Sequence, residues 1–216
     1  SFANPDYPQI TDGYLVQGMR NAAEFDGLIG VHAENAEAAE FGTQDMARRQ
    51  GAPCSMHDEA RPWWVELEAI QRAVLFARAT DARLYICHMT IVEGAEFLKR
   101  ERSRGTKVYV ETCPHYLLFD KEIMNEKRSY AKCNPPIRSR ENVEKLWDYV
   151  FDGTIDVLGS DHGPYSDEEK IKNGNFFLEY SGFGGFDAML AGMITEGVHR
   201  RGLPLTTLAA ITAGNT

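Results

Sequence analysis

The sequence predicts an α/β fold in which short parallel strands alternate with amphipathic helices, an arc of about four strands from a (β/α)8 barrel. Three observations carry this. Apolar runs of four or five residues, mostly Leu, Ile, Val and Tyr, recur along the chain, too short for helices and long enough for buried parallel strands. Longer amphipathic segments separate them, the pattern of repeated strand and helix units on a parallel sheet. Three of the runs end in a metal-capable side chain: LIGVHAEN brings His32, LYICHMT brings His88 and IDVLGSDHGP brings Asp161. In a barrel of parallel strands the C-terminal ends gather on one face, so residues far apart in sequence can meet there around one ion.

The elements follow in order. After a polar opening rich in Pro and Asp, Asp12 to Phe25 has helical spacing at Leu15, Met19, Ala22 and Ala23. Leu28 to His32 reads as the first strand. Asn35 to Gln50 has helical density in Ala, Glu and Arg, then Gly51, Pro53 and Pro62 break the chain into a loop. Trp64 to Thr80 is the strongest helix. Leu84 to His88 is the second strand, and Val92 to Arg104 a helix that Gly105 stops as a C-cap. Lys107 to Glu111 is the third strand. From Asp120 to Arg140 the chain is polar, and Pro135 with Pro136 excludes a regular helix there. Glu141 to Phe151 is helical, and Ile155 to Gly159 is the fourth strand. A polar, glycine-rich loop over Gly163 to Gly185 precedes helices at Phe186 to Arg201 and Leu205 to Ala213. Four strands do not close an eight-stranded barrel, so the chain is expected to be one partial barrel domain over 1–216, its C-terminal half.

Composition narrows the function classes. The 216 residues carry 23 Lys and Arg against 32 Asp and Glu, a net charge of -9, with no basic stripe for nucleic acid. No run approaches the roughly 18 apolar residues of a membrane span, and the N-terminal residues lack the order of a signal peptide. A cytoplasmic protein is the expectation. Cys54, Cys87, Cys113 and Cys133 form no CxxC pair, and they read as reduced thiols.

Among the site candidates, a histidine such as His32 is by itself more often a satisfied loop residue than a ligand. The polar neighbours Glu34 and Asn35, and the equivalent position of His88, raise the metal reading for both. Asp161 follows a run expected to be buried, where a carboxylate is costly unless paired or metal-bound; its bland alternative is a helix N-cap. His115 and His162 are further candidates as substrate or outer-shell groups. His57 and His199 receive no chemistry, and the Trp63 and Trp64 pair reads as barrel exterior or a subunit contact.

In this order, the motifs VHAEN, CHMT, ETCPHYL, AKCNPPIR and GSDHGP resemble the cyclic amidohydrolases: allantoinase, hydantoinase, dihydropyrimidinase and dihydroorotase. ETCPHYL, AKCNPPIR and HDEARPWWVELEAIQRA look most like allantoinase; hydantoinases more often have Gln where His115 stands. The resemblance implies a TIM-type (β/α)8 barrel of the metal-dependent hydrolase type, with about its last four strands here. It also implies two divalent metal ions, commonly zinc, and hydrolysis of a ring amide. His32 and His88 would bind one metal. Asp161 would bind the other and move the proton, and Asn134 and Gly163 would face the substrate ring. A hydroxide between the metals would attack the ring carbonyl. The family's HxH pair and its carbamylated bridging lysine are not in this chain, and the lysine would fall upstream of Ser1. The implied partners are a small cyclic amide or ureide and other subunits, commonly in a tetramer. Two rivals follow: a hydantoinase or dihydropyrimidinase, and a non-catalytic dihydropyrimidinase-related protein, which would lose its metal ligands.

Overall fold

The computed structural model describes residues 9–171 and 174–216; the polar opening before Gln9 lies outside them. Four strands, β1 (Leu28–Val31), β2 (Arg83–Ile86), β3 (Val108–Thr112) and β4 (Val157–Leu158), form one parallel sheet in sequential order. Register is fixed by pairs such as Gly30 with Tyr85, Tyr85 with Tyr109, and Thr112 with Leu158. Sequential parallel order with a helix in every connection is the wall of a TIM-type barrel, as the sequence predicts.

The helices are α1 (Asp12–Ala23), α2 (Ala36–Arg48), α3 (His57–Ala60), α4 (Trp63–Thr80), α5 (Val92–Ser103) and α6 (Pro114–Leu118). After them come α7 (Ile123–Lys127), α8 (Arg140–Phe151), α9 (Asp167–Lys170), α10 (Phe186–Met193) and α11 (Leu205–Ala209). Local chemistry sets their ends. The Asn35 side chain accepts from Ala38 N to cap α2, and Ser139 accepts from Asn142 N to cap α8. Asp81, in the left-handed region, closes α4, while Gly105 follows α5 at φ +88°, the conformation a C-terminal glycine supplies.

The barrel helices α4, α5 and α8 pack side by side on one face of the sheet. Ile70, Val74, Leu98, Leu146 and Trp147 from the helices meet Leu84, Ile86, Val108 and Val110 from the strands, all buried. Removing each such side chain from water contributes about 1.5–3 kcal/mol. The other face differs from the expectation of strands buried on both sides. It carries Arg83, Tyr85, Tyr109 and Glu111, whose polar ends pair with one another: Arg83 Nη2 donates to Tyr109 Oη at 3.3 Å and Tyr85 Oη to Glu111 Oε2 at 2.7 Å.

Other departures are local. Short helical turns, α7 and a 3-10 turn at Arg128–Ala131, occupy the polar region before Pro135, where no regular helix is predicted; both end before the prolines. Pro114 begins α6 at N1, where a missing N–H costs nothing. The long loop after Gly163 contains α9, with a Ser166–Glu169 capping box. The predicted helices at 186–201 and 205–213 both continue beyond their α segments as π turns, Ile194–Arg200 and Ala210–Gly214. Gly197 in the first lies against Trp147, whose ring would stand 3.1 Å from an added Cβ. All four cysteines are free thiols, as expected.

Candidate active site

His32 directly follows β1, and His88 follows β2 by two residues. The two strands are neighbours, so their ends deliver the rings to one place: His32 Nδ1 and His88 Nε2 are 3.0 Å apart, with ring centroids at 4.7 Å. Behind His32, Nε2 meets Glu34 Oε2 at 2.8 Å. Glu34 is fully buried and held in a fork by Arg61, whose Nε donates to Oε1 at 2.9 Å and Nη2 to Oε2 at 2.6 Å. Burial alone would push the Glu34 carboxyl up, but the Arg61 guanidinium and the His32 contact hold it well below the usual carboxylate range. A carboxylate only accepts, so His32 carries its proton on Nε2 and turns the Nδ1 lone pair toward His88.

His88 sits in a strained turn at φ +39°. Glu111 holds that turn: Oε1 accepts from His88 N at 2.8 Å, and the Glu111 carbonyl accepts from Met89 N at 2.8 Å. Gly159 gives the Glu111 carboxylate its room, because a Cβ there would lie 2.3 Å from Oε2. Two residues on, Thr90 is tied to buried Glu66, which Arg138 binds at 3.0 Å while also reaching Thr90 Oγ1, Asp58 and the Arg61 carbonyl. Burial lowers the His88 imidazole to about 3, with His32 adding to the effect, so the ring is neutral, the form that ligates metal. Among the described residues its buried Nδ1 has no hydrogen-bond partner.

These residues fit two ligands of one ion. Imidazole nitrogens about 2 Å from a tetrahedral ion stand about 3.3 Å apart, a few tenths wider than the distance here. Among the described residues no three His, Cys, Asp or Glu side chains converge as a metal-ligand group, so Asp161 does not complete a triad with the two histidines.

Asp161 follows β4 by three residues at φ +43°, exposed on one side. It does not cap a helix; Ser166 caps α9. The protein packed behind it and the charge of Glu111 raise its carboxyl to about 6. His115, three residues past β3, is buried and stacked on Phe183 at 4.8 Å, and its Nε2 has no partner among the described residues. His162 pairs in a bridge with Phe183, and its Nδ1 accepts long contacts of 3.4 Å from Gly185 N and Phe186 N, so it anchors the approach to α10. Gly163 N donates to the Phe183 carbonyl at 3.1 Å. Asn134 is half-buried, and its Oδ1 lies 2.9 Å from His57 Nε2. Thus His115, His162 and Gly163 meet around Phe183, and the Lys132 carbonyl, two residues before Asn134, accepts from Gly182 N at 2.9 Å.

Sequence reasoning passed over Arg61, Glu111 and His57. Glu111 stands in the ETCPHY motif and was legible there. His57, placed in a polar loop by the sequence, is instead buried in α3. Trp63 and Trp64, at the start of α4, are each about half exposed.

No family model matches the chain. It is 36% identical over 213 residues to proteins named allantoinase from Salmonella paratyphi B and Salmonella newport, covering 97% of this chain and 46% of each relative. Among solved structures, an L-hydantoinase (dihydropyrimidinase) from Arthrobacter aurescens superposes with a TM-score of 0.91 at 29% identity, over 100% of this chain and 48% of that one. A D-hydantoinase (dihydropyrimidinase) from Thermus sp. gives 0.89 at 26% identity, over 96% and 46%. The chain therefore spans about half the length of the curated relatives it matches. In motifs, strand order and superposition the chain is similar to the cyclic amidohydrolases named allantoinase and hydantoinase over nearly its whole length.

Proposed function

We propose that the whole protein opens a cyclic amide by metal-dependent hydrolysis, with an allantoin-like ureide ring as substrate. One observation carries the reading: His32 Nδ1 and His88 Nε2 face each other at 3.0 Å at the ends of adjacent parallel strands, with Glu34 fixed behind His32. In this reading His32 and His88 would hold one divalent ion, zinc by the preference of imidazole, and Asp161 would help hold a second, with a carbamylated lysine from outside this stretch as a further ligand. Such ions polarise a carbonyl and lower the pKa of water to roughly 7.

The chain's own residues do the rest. Glu34 keeps the Nε2 proton of His32, so Nδ1 stays a lone pair aimed inward. Asp161 takes the proton of the attacking water and returns it to the leaving ring nitrogen. His115, Asn134 and Gly163 form the rim that receives the ring, with His162 supporting it. No helix among the described residues is long and apolar enough to cross a membrane. A cytoplasmic tetramer completes the reading, and the exposed faces of Trp63 and Trp64 support a subunit contact.

The test uses the full-length protein. Metal analysis is expected to find bound divalent ions, and parallel assays on allantoin, hydantoin and dihydrouracil a dominant allantoin rate. A dominant hydantoin or dihydrouracil rate would select the rival enzyme, and a protein with neither metal nor ring opening would match the non-catalytic relatives.

A further inference from the structure

We propose that His57 is a positioning residue that locks the Asn134 side-chain amide with its NH2 group turned toward the bound substrate, making Asn134 a dedicated donor to a substrate carbonyl oxygen. The inference rests on the reading of Asn134 as part of the substrate rim. It begins from a histidine to which the sequence assigns nothing. His57 is 1% exposed, and its Nε2 lies 3.2 Å from the Cys133 carbonyl and 2.9 Å from Asn134 Oδ1. A backbone carbonyl only accepts, so Nε2 must carry the proton. The atom of the Asn134 amide that meets this N–H is then its oxygen, which fixes the amide orientation by chemistry.

Burial, with the charges of Lys132 and Arg61, holds the imidazole well below its usual range. The ring therefore stays neutral, with its single proton on Nε2, and its buried Nδ1 has no partner among the described residues. Phe176 packs edge-on against it at 5.8 Å. Leaving a buried ring nitrogen unpaired is unfavourable, so the arrangement is not the one burial alone would choose.

The amide nitrogen of Asn134 has no hydrogen-bond partner among the described residues, although the rest of its segment is pinned on both sides. Tyr116, next to His115, donates from Oη to the Pro135 carbonyl at 2.8 Å, and the Lys132 carbonyl accepts from Gly182 N. Tyr116 belongs to α6, which directly follows β3, so its bond to Pro135 holds the segment beside that strand's end. A rigid loop thus presents two N–H donors from a half-buried amide. A carbonyl oxygen fits them, either on the ring or on an exocyclic ureido group.

The experiment uses the full-length, metal-loaded protein and two substrates, hydantoin and 5-ureidohydantoin. Asn134→Ala and Asn134→Asp are expected to raise KM about tenfold with kcat changed less than about threefold, because a donor is lost or replaced by an acceptor. His57→Phe is expected to do the same and His57→Gln, which keeps a donor, to restore most of the loss. A loss with both substrates assigns the ring carbonyl; a loss confined to the ureido compound assigns the exocyclic one. NMR of the imidazole nitrogens is expected to show the Nε2–H tautomer between about pH 5 and 8, and it does not depend on any variant folding. A proton on Nδ1, or an Asn134→Ala KM within about twofold of wild type, overturns the proposal. If the wild type opens neither ring, the proposed function has failed and calorimetric binding of the two compounds judges this inference: weaker binding to Asn134→Ala supports it, and equal binding or none overturns it.

Discussion

The two halves of the strand-end face are built differently. At the β1 and β2 ends, His32 and His88 are backed by buried charge pairs, Glu34 with Arg61 and Glu66 with Arg138, and the Arg61 carbonyl accepts from Arg138 to join them. At the β3 and β4 ends no such charge pair stands behind the side chains: among the described residues His115, like His88, keeps one ring nitrogen without a partner, and Asp161 makes no side-chain hydrogen bond. A buried network of paired charges fixes geometry before any ligand arrives, whereas polar groups with no such backing are the ones a ligand completes. The first half is therefore expected to respond to substitution in stability, and the second in chemistry and pH dependence.

The largest effect is expected at Arg61. Arg61→Met leaves Glu34 buried with its charge uncompensated, and urea denaturation is expected to show a loss of about 3–5 kcal/mol. Adding Glu34→Leu is expected to return most of that stability, since the pair contributes little more than two apolar side chains. It would not restore metal binding, because His32 would lose the acceptor that sets its tautomer. If Arg61→Met costs less than about 1 kcal/mol, the two halves do not differ in the way described.

His115 gives the next effect, and it appears in pH rather than in absolute stability. Burial lowers its imidazole to about 3, against about 6.5 for an unperturbed histidine. As pH falls below 6.5 the unfolded chain takes up this proton and the folded chain does not, so the contribution of His115 to stability is lost steadily toward pH 3. His115→Gln removes that slope. Between pH 7 and pH 5 the wild type is expected to lose on the order of 2 kcal/mol more than the variant, read from urea midpoints at each pH. Parallel curves would show that His115 does not enter the acid response.

How much of this was legible in the sequence follows from the range of each interaction. The sheet was legible because its signal is local: each apolar run carries its own strand, and each ends in the residue it delivers. His32, His88 and Asp161 were visible for the same reason. Only the meeting of the two histidines needed strand order, and parallel packing supplies it. Arg61 and His57 were not legible, since their partners Glu34 and Asn134 lie 27 and 77 residues away and neither pair leaves a local pattern. The polar inner face of the strands was hidden because Tyr85 and Tyr109 count as apolar in a run, although their hydroxyls pair with Glu111 and Arg83.

Phe183 tests the open half with a smaller change. It stacks on His115 and forms the bridge that positions His162 and Gly163. Phe183→Ala is expected to cost about 1 kcal/mol, the scale of a ring pair, and to weaken substrate binding more than it weakens the fold. A loss of stability as large as that of Arg61→Met would mean that this loop is part of the frame.

The smallest loss of stability is expected at Asp161, the residue that would move the proton in the proposed reaction. Asp161 is exposed on one side, sits at φ +43° and makes no side-chain hydrogen bond among the described residues. Asn tolerates that left-handed backbone as well as Asp does, so Asp161→Asn changes the charge and little else. Urea denaturation at neutral pH is expected to place the variant at or above wild type, since a carboxyl raised to about 6 costs stability when ionised and an amide does not. In the full-length, metal-loaded protein the same change is expected to lower kcat by at least about a hundredfold, since an amide can neither take up the proton nor return it. A stable fold without turnover would set Asp161 apart from Arg61, whose loss weakens the fold itself. If instead Asp161→Asn unfolded the protein, the carboxylate would belong to the frame and the division between the two halves would fail at its central residue.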